Sequence, residues 1–310
     1  MTSRILITGG SGHLGSRTAE RAATVGFSVV GTYLRTPAPV AGERLDICDR
    51  SAVQELIERV RPDAVIHTAS GRDDWHVVAD GAAHVAAASV AASARLVHVS
   101  SDALFSGRNV EYDETATPDP IYPYGAAKAA AETAVRAIDP QAAVVRTSLI
   151  LGDGHGQHER LTRDLITGHV HGALFTDMIR KPVHVFDLAD ALLELATGDY
   201  AGILNVAGTD PVSRYDLGVL MARREGLDPA QIPAATIAHS GLRLPTDVRL
   251  CTDRATSVLN VRLRGAYEFM TMPLPKTSRQ QDQRSLPRHG GARQRIWWTP
   301  TAPARRVGAR

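Results

Sequence analysis

The amino-acid sequence predicts an α/β protein with a doubly wound parallel sheet, a smaller C-terminal lobe and a disordered basic tail. Three observations lead to this prediction. A glycine-rich run follows a short apolar strand near the start of the chain, between residues 4 and 15. Strand-like and helix-like segments then alternate at the spacing of βαβ units, which is typical of parallel sheets covered on both faces. After residue 148 the alternation becomes irregular, and after residue 270 the periodicity disappears.

Residues 1–150 are assigned to one domain built on this sheet, because they supply regular βαβ alternation. Its strands are predicted at Arg4–Thr8, Ser28–Tyr33, Ala64–Thr68, Arg95–Ser100 and Ala143–Ser148. Its helices are predicted to begin at His13 and to cover Ser51–Val60, Val77–Ala94 and Tyr122–Ile138, with Ser51 as the cap of its helix.

Residues 151–270 are assigned to a lobe that returns once to the sheet, and residues 271–310 to a disordered tail rich in Pro, Gly, Gln and Arg. The pairing of Ser213 with Asp216 predicts a capping box at the start of a helix that ends near Gly226. The other elements predicted in the lobe are a helix at Leu188–Thr197, a strand at Leu204–Ala207 and a short helix at Asp253–Leu259 capped by Thr252.

Composition limits the class of protein. The chain has 310 residues, 44% of them hydrophobic and 22% charged, as expected of a globular protein. The net charge of +2 divides into +8 for residues 271–310 and −6 for the rest. The body therefore carries no nucleic-acid signature, and no nucleic-acid partner is predicted.

The first strand begins within a few residues of Met1, and no apolar run approaches the roughly 20 residues of a membrane span. We therefore expect a cytoplasmic protein with no membrane contact. Cys48 and Cys251 form no CxxC motif, which argues against a disulfide framework or a zinc site. No metal site is predicted either from the four histidines that lack ligand spacing: His155, His158, His169 and His171.

The glycine-rich run indicates a dinucleotide site of the Rossmann type. Gly9, Gly12 and Gly15 lie where the first strand turns into a helix, and their missing side chains allow a tight turn and close approach of a pyrophosphate. The helix N-terminus then offers free N–H groups to the phosphates. The residues between the glycines complete this part of the predicted cofactor site: Ser11, His13 and Leu14.

The end of the second strand bears on which dinucleotide binds. A carboxylate about 20 residues beyond the glycines would hold a ribose 2′-hydroxyl, but the chain has Arg35 in this region, which suits a 2′-phosphate. NADPH is therefore the predicted cofactor, with NADH as the alternative. Further cofactor contacts are predicted at the end of a short strand near Leu45 and at the end of the strand Ala64–Thr68: Asp46, Ile47, Thr68, Ala69 and Ser70.

A proton-transfer site is predicted where the strand Arg95–Ser100 ends, at Ser100 and Ser101. Tyr124 and Lys128 are one helical turn apart, so they lie on one face of their helix. With 7 Tyr and three Lys in the chain, about 0.07 such pairs arise by chance. An ammonium group near a phenol favours the phenolate, which suits an acid that protonates an alkoxide. Ser101 is predicted to polarise a carbonyl, and Ser100 and both helix residues also to border the cofactor.

These residues resemble the extended short-chain dehydrogenases/reductases. The segments Val99–Gly107, Val145–Ser148, Arg180–Ala189 and Leu244–Leu250 are similar to those of the dTDP-4-dehydrorhamnose reductase branch, with the resemblance covering about residues 3 to 269. It implies NADPH-dependent reduction of the 4-keto group of a nucleotide-linked deoxysugar, with Ser101, Tyr124 and Lys128 as the catalytic set. Two alternatives stay open: a non-catalytic NADP-binding regulatory subunit, and a reductase of another carbonyl. The oligomeric state is open too, with a homodimer among the options.

Three polar residues of these segments are predicted to contact the substrate: Asp102, Arg146 and Arg180. For Arg146, an ion pair with an acidic neighbour is the alternative. The chain also departs from the branch pattern, because Leu244 stands where an Arg usually precedes the Pro, and Val77–Ala94 contains no Asn. The resemblance therefore implies an altered substrate pocket.

Overall fold

The computed structural model describes residues 3–38, 40, 42–71 and 74–274. Within them, seven parallel strands form the central sheet, in the spatial order β3-β2-β1-β4-β5-β7-β12. Those strands are β1 (Arg4–Thr8), β2 (Ser28–Tyr33), β3 (Gly42–Arg44), β4 (Ala64–His67), β5 (Arg95–Val99), β7 (Ala143–Thr147) and β12 (Gly202–Val206). The predicted doubly wound α/β sheet is confirmed, and its strand order reverses between β1 and β4, where open sheets of this type bind ligands.

Helices cover both faces of the sheet. The α-helices are α1 (His13–Thr24), α2 (Arg50–Val60), α3 (Gly81–Ala91), α4 (Pro123–Ile138), α5 (Gln157–Ile166), α6 (Val185–Thr197), α7 (Arg214–Glu225), α8 (Ile237–Ser240), α9 (Asp253–Val258) and α10 (Ala266–Phe269). A π-helical turn, His76–Asp80, precedes α3. Alternate residues of β1 point to opposite faces of the sheet. Ile5 and Ile7 pack with α1 and α6 on one face, whereas Leu6 packs with α2, α3 and α4 on the other.

The smaller strands build the lobe in four pairs. They are β6 (Val110–Tyr112) with β15 (Val248–Leu250), β8 (Ile150–Leu151) with β11 (Val183–His184), β9 (Leu174–Phe175) with β14 (Ala234–Ala235), and β10 (Ile179–Arg180) with β13 (Val212–Ser213). The strand β6 comes from the N-terminal half, so the lobe draws on both halves of the chain. The strand β12 returns to the edge of the central sheet.

Several boundaries and caps differ from the sequence prediction. The strands β4, β5 and β7 each end one residue early, which leaves Thr68, Ser100 and Ser148 just beyond the strand ends. Asp49 rather than Ser51 caps α2, because the helix begins at Arg50 and the Asp49 carboxylate accepts from the amide of Ala52. Thr252 stands at the start of α9 without a side-chain capping bond.

One half of the capping box predicted for α7 is present: the Ser213 hydroxyl accepts from the amide of Asp216, but the Asp216 carboxylate accepts from that same hydroxyl and not from the Ser213 amide. The helix ends at Gly226 in the left-handed conformation. Among the described residues, none of the helices has the length and apolar character needed to cross a membrane. The predicted tail lies outside the described residues from residue 275 onward.

Candidate active site

The glycine loop forms a close-fitting cradle at the carboxyl end of β1. Gly9 adopts a φ of +73°, and a Cβ there would lie 2.7 Å from the Cα of Ala69. A Cβ on Gly15 would lie 2.3 Å from the carbonyl oxygen of Gly9 and 2.7 Å from Oγ1 of Thr68. Only glycine allows the loop to approach the end of β4 this closely. The structure thus brings together the glycines and the β4 residues of the predicted cofactor site.

The residues predicted around the adenine half lie at the ends of neighbouring strands. Arg35 follows β2 and is exposed, as is Asp46 after β3. The Asp46 carboxylate accepts from the amide of Cys48, 3.0 Å away. Ile47 is 6% exposed, and its carbonyl oxygen lies 3.0 Å from a ring nitrogen of His84. Exposed charge at Arg35 is compatible with a 2′-phosphate.

The side chain of Thr68 holds the end of β4 to the end of β1, because its hydroxyl donates to the carbonyl of Thr8 at 2.7 Å. Ser70 is exposed at the edge of this region. Ser100 is 2% exposed, and its hydroxyl has no hydrogen-bond partner among the described residues. The assignments of these three residues to the cofactor stay predictions.

This arrangement fits a dinucleotide. Gly12 is the N-cap of α1 and has no side chain, so the first amides of that helix face the cradle unobstructed. Bound there, NADPH would supply the hydride, with its pyrophosphate over the glycine loop. The residues predicted to hold it are Gly9, Ser11, Gly12, His13, Leu14, Gly15, Arg35, Asp46, Ile47, Thr68, Ala69, Ser70, Ser100, Tyr124 and Lys128.

His13 links the glycine loop to the lobe. Its Nε2 lies 2.8 Å from the carboxylate of Asp153, which also accepts from Arg17 at 2.7 Å. Burial acts to raise the pKa of Asp153, but the hydrogen bonds from His13 and Arg17 outweigh it and hold that pKa well below its usual range. Asp153 is therefore a permanent anion that connects the cofactor loop to the segment after β8.

Ser101 begins the loop that follows β5. It caps a single 3₁₀ turn, Asp102–Leu104, by accepting from the amide of Ala103 at 3.2 Å. Its one hydroxyl hydrogen is directed to Oδ1 of Asp102 across 3.4 Å, a long and weak contact that a carbonyl oxygen bound beside it can replace. The residue is half-buried. Ser101 can therefore offer a hydrogen bond to a carbonyl beside it.

Gly125 brings the helix α4 against this turn. A Cβ at Gly125 would lie 2.2 Å from the carbonyl oxygen of Ala103, far inside any allowed contact. The missing side chain therefore sets the distance between the Ser101 turn and the first turn of α4, which carries Tyr124. The motif search on Tyr124 and Lys128 did not single out this glycine.

Lys128 brings a cation to the end of β5. It is 4% exposed, and its Nζ donates to the carbonyl of Val99 at 3.1 Å. Burial lowers the pKa of Lys128 to about 8, although the Glu132 carboxylate acts in the opposite direction. The ammonium is therefore charged at neutral pH. Its partner Val99 lies two residues before Ser101 in the chain.

Tyr124 and Tyr122 form an aromatic pair at the start of α4, with ring centroids 6.4 Å apart. Burial raises the pKa of the Tyr122 phenol, and the nearby charge of Asp102 raises it further. Tyr122 is therefore a neutral donor at any physiological pH. Tyr124 lies one helical turn before Lys128, so the phenol that the motif predicts as the acid is on the same helix face as the buried cation.

Asp102 is buried next to Ser101. Its carboxylate accepts from the hydroxyl of Ser148 at 2.7 Å and lies 3.7 Å from Nε of Arg180. Burial raises the pKa of Asp102, while Arg180 and the hydroxyl of Ser148 act to lower it. The terminal nitrogens of Arg180 donate to the carbonyls of Ile179, Pro245 and Thr246. Arg180 thus ties Asp102 to the lobe, and substrate contact by either residue stays a prediction.

The prediction that Arg146 contacts the substrate is corrected by the structure. Arg146 is 1% exposed, and its guanidinium donates to both carboxylate oxygens of Glu132, with the shortest contact at 2.8 Å. It also lies over the ring of Phe105, 5.2 Å from the centroid. The ion pair, which the sequence left as the alternative, is what the fold contains, since β7 carries Arg146 into the sheet face covered by α4.

Two buried histidines contact each other, a pairing that the sequence did not predict. His67 and His98 stack on neighbouring strands with ring centroids 5.2 Å apart, and Nδ1 of His67 lies 2.6 Å from the hydroxyl of Thr8. Burial lowers the pKa of His67 to about 3, and the Lys128 cation lowers it further in the same direction. The pKa of His98 is lowered too, by burial and then by His67 and Lys128. Both rings are therefore neutral beneath the site.

No group of three or more His, Cys, Asp or Glu residues in the described part of the chain is arranged to hold a metal ion. The site is built instead from a glycine cradle, a Ser on a strand end, and a Tyr and a Lys on one helix face. This combination defines the class: an NADP-binding oxidoreductase of the extended short-chain dehydrogenase/reductase type.

Comparison with known proteins identifies the family within that class. Residues 3–265 match the family model described as the RmlD substrate binding domain, and the chain belongs to this family. The dTDP-4-dehydrorhamnose reductase of Mycobacterium tuberculosis is 32% identical over 255 residues, which are 77% of this chain and 81% of that protein. The methionine adenosyltransferase 2 subunit beta of Bos taurus is 26% identical over 275 residues, 81% of each chain.

Solved structures agree. The dTDP-4-dehydrorhamnose reductase of Bacillus anthracis, crystallised in complex with NADP, superposes with a TM-score of 0.74 at 25% identity and covers 87% of this chain and 98% of that one. A hypothetical dTDP-4-dehydrorhamnose reductase from Sulfolobus tokodaii has the same TM-score at 27% identity, covering 84% of this chain and 96% of that one. The predicted resemblance is confirmed.

Proposed function

We propose that this protein is an NADPH-dependent reductase of the 4-keto group of a nucleotide-linked deoxysugar. The observation that carries the proposal is the hydrogen bond from the buried Lys128 ammonium to Val99, two residues before Ser101, with Tyr124 one helical turn away. A cation, a phenol and a hydroxyl at one strand end, beside a dinucleotide cradle, form the donor set that ketone reduction needs.

In this proposal Ser101 donates a hydrogen bond to the substrate carbonyl and holds it in place. Tyr124 gives its phenolic proton to the oxygen as the carbonyl is reduced, and the charge of Lys128 stabilises the phenolate that is left. Tyr122 stays protonated beside Tyr124, because burial raises the pKa of its phenol. Asp102 and Arg180 border the sugar side of the pocket.

The test is NADPH oxidation with dTDP-4-dehydrorhamnose and other nucleotide-linked 4-keto-6-deoxyhexoses. We expect turnover on at least one of them, and a loss of about 10²- to 10⁴-fold in kcat for Tyr124→Phe, the usual contribution of a positioned acid. Tyr267→Phe, which removes a hydroxyl from a residue 55% exposed, is the matched control and should keep wild-type kcat. Equal turnover by Tyr124→Phe and wild type would contradict the catalytic assignment.

A second candidate function is a regulatory subunit that binds NADP without turnover. The similarity to a methionine adenosyltransferase subunit supports this second candidate. NADPH binding in a titration, combined with no turnover on any sugar of the panel, would support that candidate over the reductase. The same assay, run with NADH, measures the preference for NADPH. The homodimer stays a prediction, which sedimentation analysis tests.

A further inference from the structure

The lobe contains a buried arginine that has no counter-charge among the residues the structure describes. Arg214 is 2% exposed, and its Nη2 is buried without a hydrogen-bond partner among the described residues. Two other arginines among the described residues are buried, Arg146 in the central sheet and Arg180 in the lobe, and both have a carboxylate within 4 Å: Glu132 for Arg146 and Asp102 for Arg180. The ion pairs of the described residues include none to Arg214.

Burial of such a group is unfavourable. A charged group taken from water into a protein interior costs several kcal/mol unless it is paired and hydrogen-bonded. Burial alone lowers the pKa of Arg214 to about 10, so the guanidinium is still charged at neutral pH. An unpaired buried cation in a native fold therefore calls for a physical reason.

The position of Arg214 adds a second unfavourable contribution. It is the first residue of α7, a helix of 12 residues, where the helix dipole favours anions and disfavours cations. Asp216 in the same turn directs a carboxylate oxygen to the hydroxyl of Ser213, 2.7 Å away, rather than to Arg214. The helix dipole and a guanidinium without a described partner together suit an anion here, with the guanidinium as the donor, because the amides of Arg214 and Asp216 already donate to Met178 and Ser213.

This region adjoins the active site through one β-ladder. Ser213, the residue before Arg214, lies opposite Ile179 in the pairing of β13 with β10, and Arg180 follows Ile179. The amide of Arg214 donates to the carbonyl of Met178 at 2.8 Å. Strand spacings place the Cα of Arg214 roughly 8 Å from that of Arg180, whose Nε faces Asp102 next to Ser101.

We infer that Arg214 binds the diphosphate of the nucleotide-linked substrate. This inference rests on the proposed function for the identity of the ligand. A diphosphate carries the negative charge that would pair with Arg214, and two of its oxygens can accept parallel hydrogen bonds from one guanidinium. Because Arg214 is 2% exposed, binding requires a local displacement of the lobe. Arg214 is then a specificity residue for the phosphate end of the substrate, remote from the reacting carbonyl.

The experiment compares Arg214→Leu with Arg224→Leu in the full chain. Arg224 is the matched control, because it lies on the same helix and its side chain is also 2% exposed, but it has Glu159 as a partner at 2.6 Å. Removing an unpaired buried charge should raise the thermal midpoint of the ligand-free protein by about 2–4 °C, whereas Arg224→Leu should lower it.

Calorimetric titration with thymidine diphosphate, inorganic pyrophosphate and thymidine locates the site. We expect Arg214→Leu to weaken binding of the nucleotide and of pyrophosphate by about 10- to 100-fold, the usual effect of losing a charged hydrogen bond, and to leave thymidine and NADPH binding unchanged. Loss for the nucleotide alone would also support the inference and identify the nucleotide as the source of the diphosphate.

Two results would overturn the inference: unchanged affinity for thymidine diphosphate in Arg214→Leu, or a lowered midpoint equal to that of Arg224→Leu. If Arg214→Leu does not fold, Arg214→Lys tests the inference instead, because it keeps the positive charge and loses the paired hydrogen bonds of a guanidinium. The KM of Arg214→Lys for the sugar nucleotide should rise several-fold at constant kcat. If wild type binds thymidine diphosphate through Arg214 but reduces no 4-keto sugar, the proposed function fails and the binding site stands.

Discussion

The ammonium group of Lys128 donates a hydrogen bond to the carbonyl oxygen of Val99 across 3.1 Å, inside the protein and beneath the end of the fifth strand. This contact fixes a cation where the chain leaves the sheet for Ser101. It also makes the cation sensitive to pH, because burial lowers the pKa of Lys128 to about 8. The properties of the site depend on this buried charge.

The activity is therefore expected to fall as the pH rises through about 8. Below that value Lys128 is charged and supports the phenolate of Tyr124; above it the support is lost. The pH profile of kcat/KM reports groups of the free enzyme, so it should show this alkaline limb. Lys128→Arg should move the limb upward, because arginine keeps its charge, while Lys128→Met should lower kcat about 10²-fold or more. A wild-type profile that is flat to pH 10 would argue against the role of Lys128.

Gly125→Ala should disturb the site without touching a catalytic group. Its Cβ would lie 2.2 Å from the carbonyl oxygen of Ala103, so α4 or the Ser101 turn must move. Overpacking of this kind costs about 1–3 kcal/mol of folding free energy, and kcat should fall together with stability. In the control Gly198→Ala, the nearest atom is 3.2 Å from the new Cβ, on the carbonyl of Glu194. Equal unfolding midpoints and equal kcat for the two variants would show that the close approach is unimportant.

Acid should destabilise the protein below pH 6.5. In the unfolded chain His67 and His98 protonate near 6.5, but in the folded chain burial keeps the pKa of His67 at about 3 and that of His98 well below the ordinary value. The folded state thus binds fewer protons, and its stability is lost as the pH falls from 6.5 towards 3, at about 1.4 kcal/mol per pH unit for each histidine.

His98→Leu should reduce this slope. Because neither ring nitrogen of His98 has a partner among the described residues, the variant should keep or gain stability at pH 7. His171→Leu, which alters an exposed histidine, is the control and should leave the slope unchanged. Denaturant titrations between pH 4 and 8 measure this slope, which is the change in unfolding free energy per pH unit. An unchanged slope in His98→Leu would mean that this ring is protonated in the folded state.

The ion pair of Arg146 with Glu132 predicts strong coupling. Arg146→Met leaves a buried carboxylate without its partner and should cost about 3–5 kcal/mol of stability, and the double variant with Glu132→Leu should recover most of it. A double-mutant cycle on unfolding free energies measures the coupling. Since the structure places Arg146 in the core, the double variant should keep the wild-type KM for the sugar nucleotide. A tenfold rise in KM would restore the substrate-binding interpretation.

The sequence by itself was enough for the class of fold and for the catalytic motif. The three glycines after β1, the alternation of strands and helices, and the Tyr124–Lys128 spacing depend on local rules: φ freedom at Gly9, hydrophobic period, and the helical turn. Local rules also predicted Ser213 as the cap of α7, and its hydroxyl accepts from the amide of Asp216 in the structure.

Only the tertiary structure decided which side chains meet across the sheet. Arg146 looked as suited to a phosphate as to a carboxylate until α4 placed Glu132 against it. The stacking of His67 on His98, the burial of Lys128 and the absence of a described partner for Arg214 each depend on residues far apart in the chain. Charge, burial and pairing are properties of the packed molecule, because the environment that sets a pKa or the cost of desolvation is assembled only when distant elements come together.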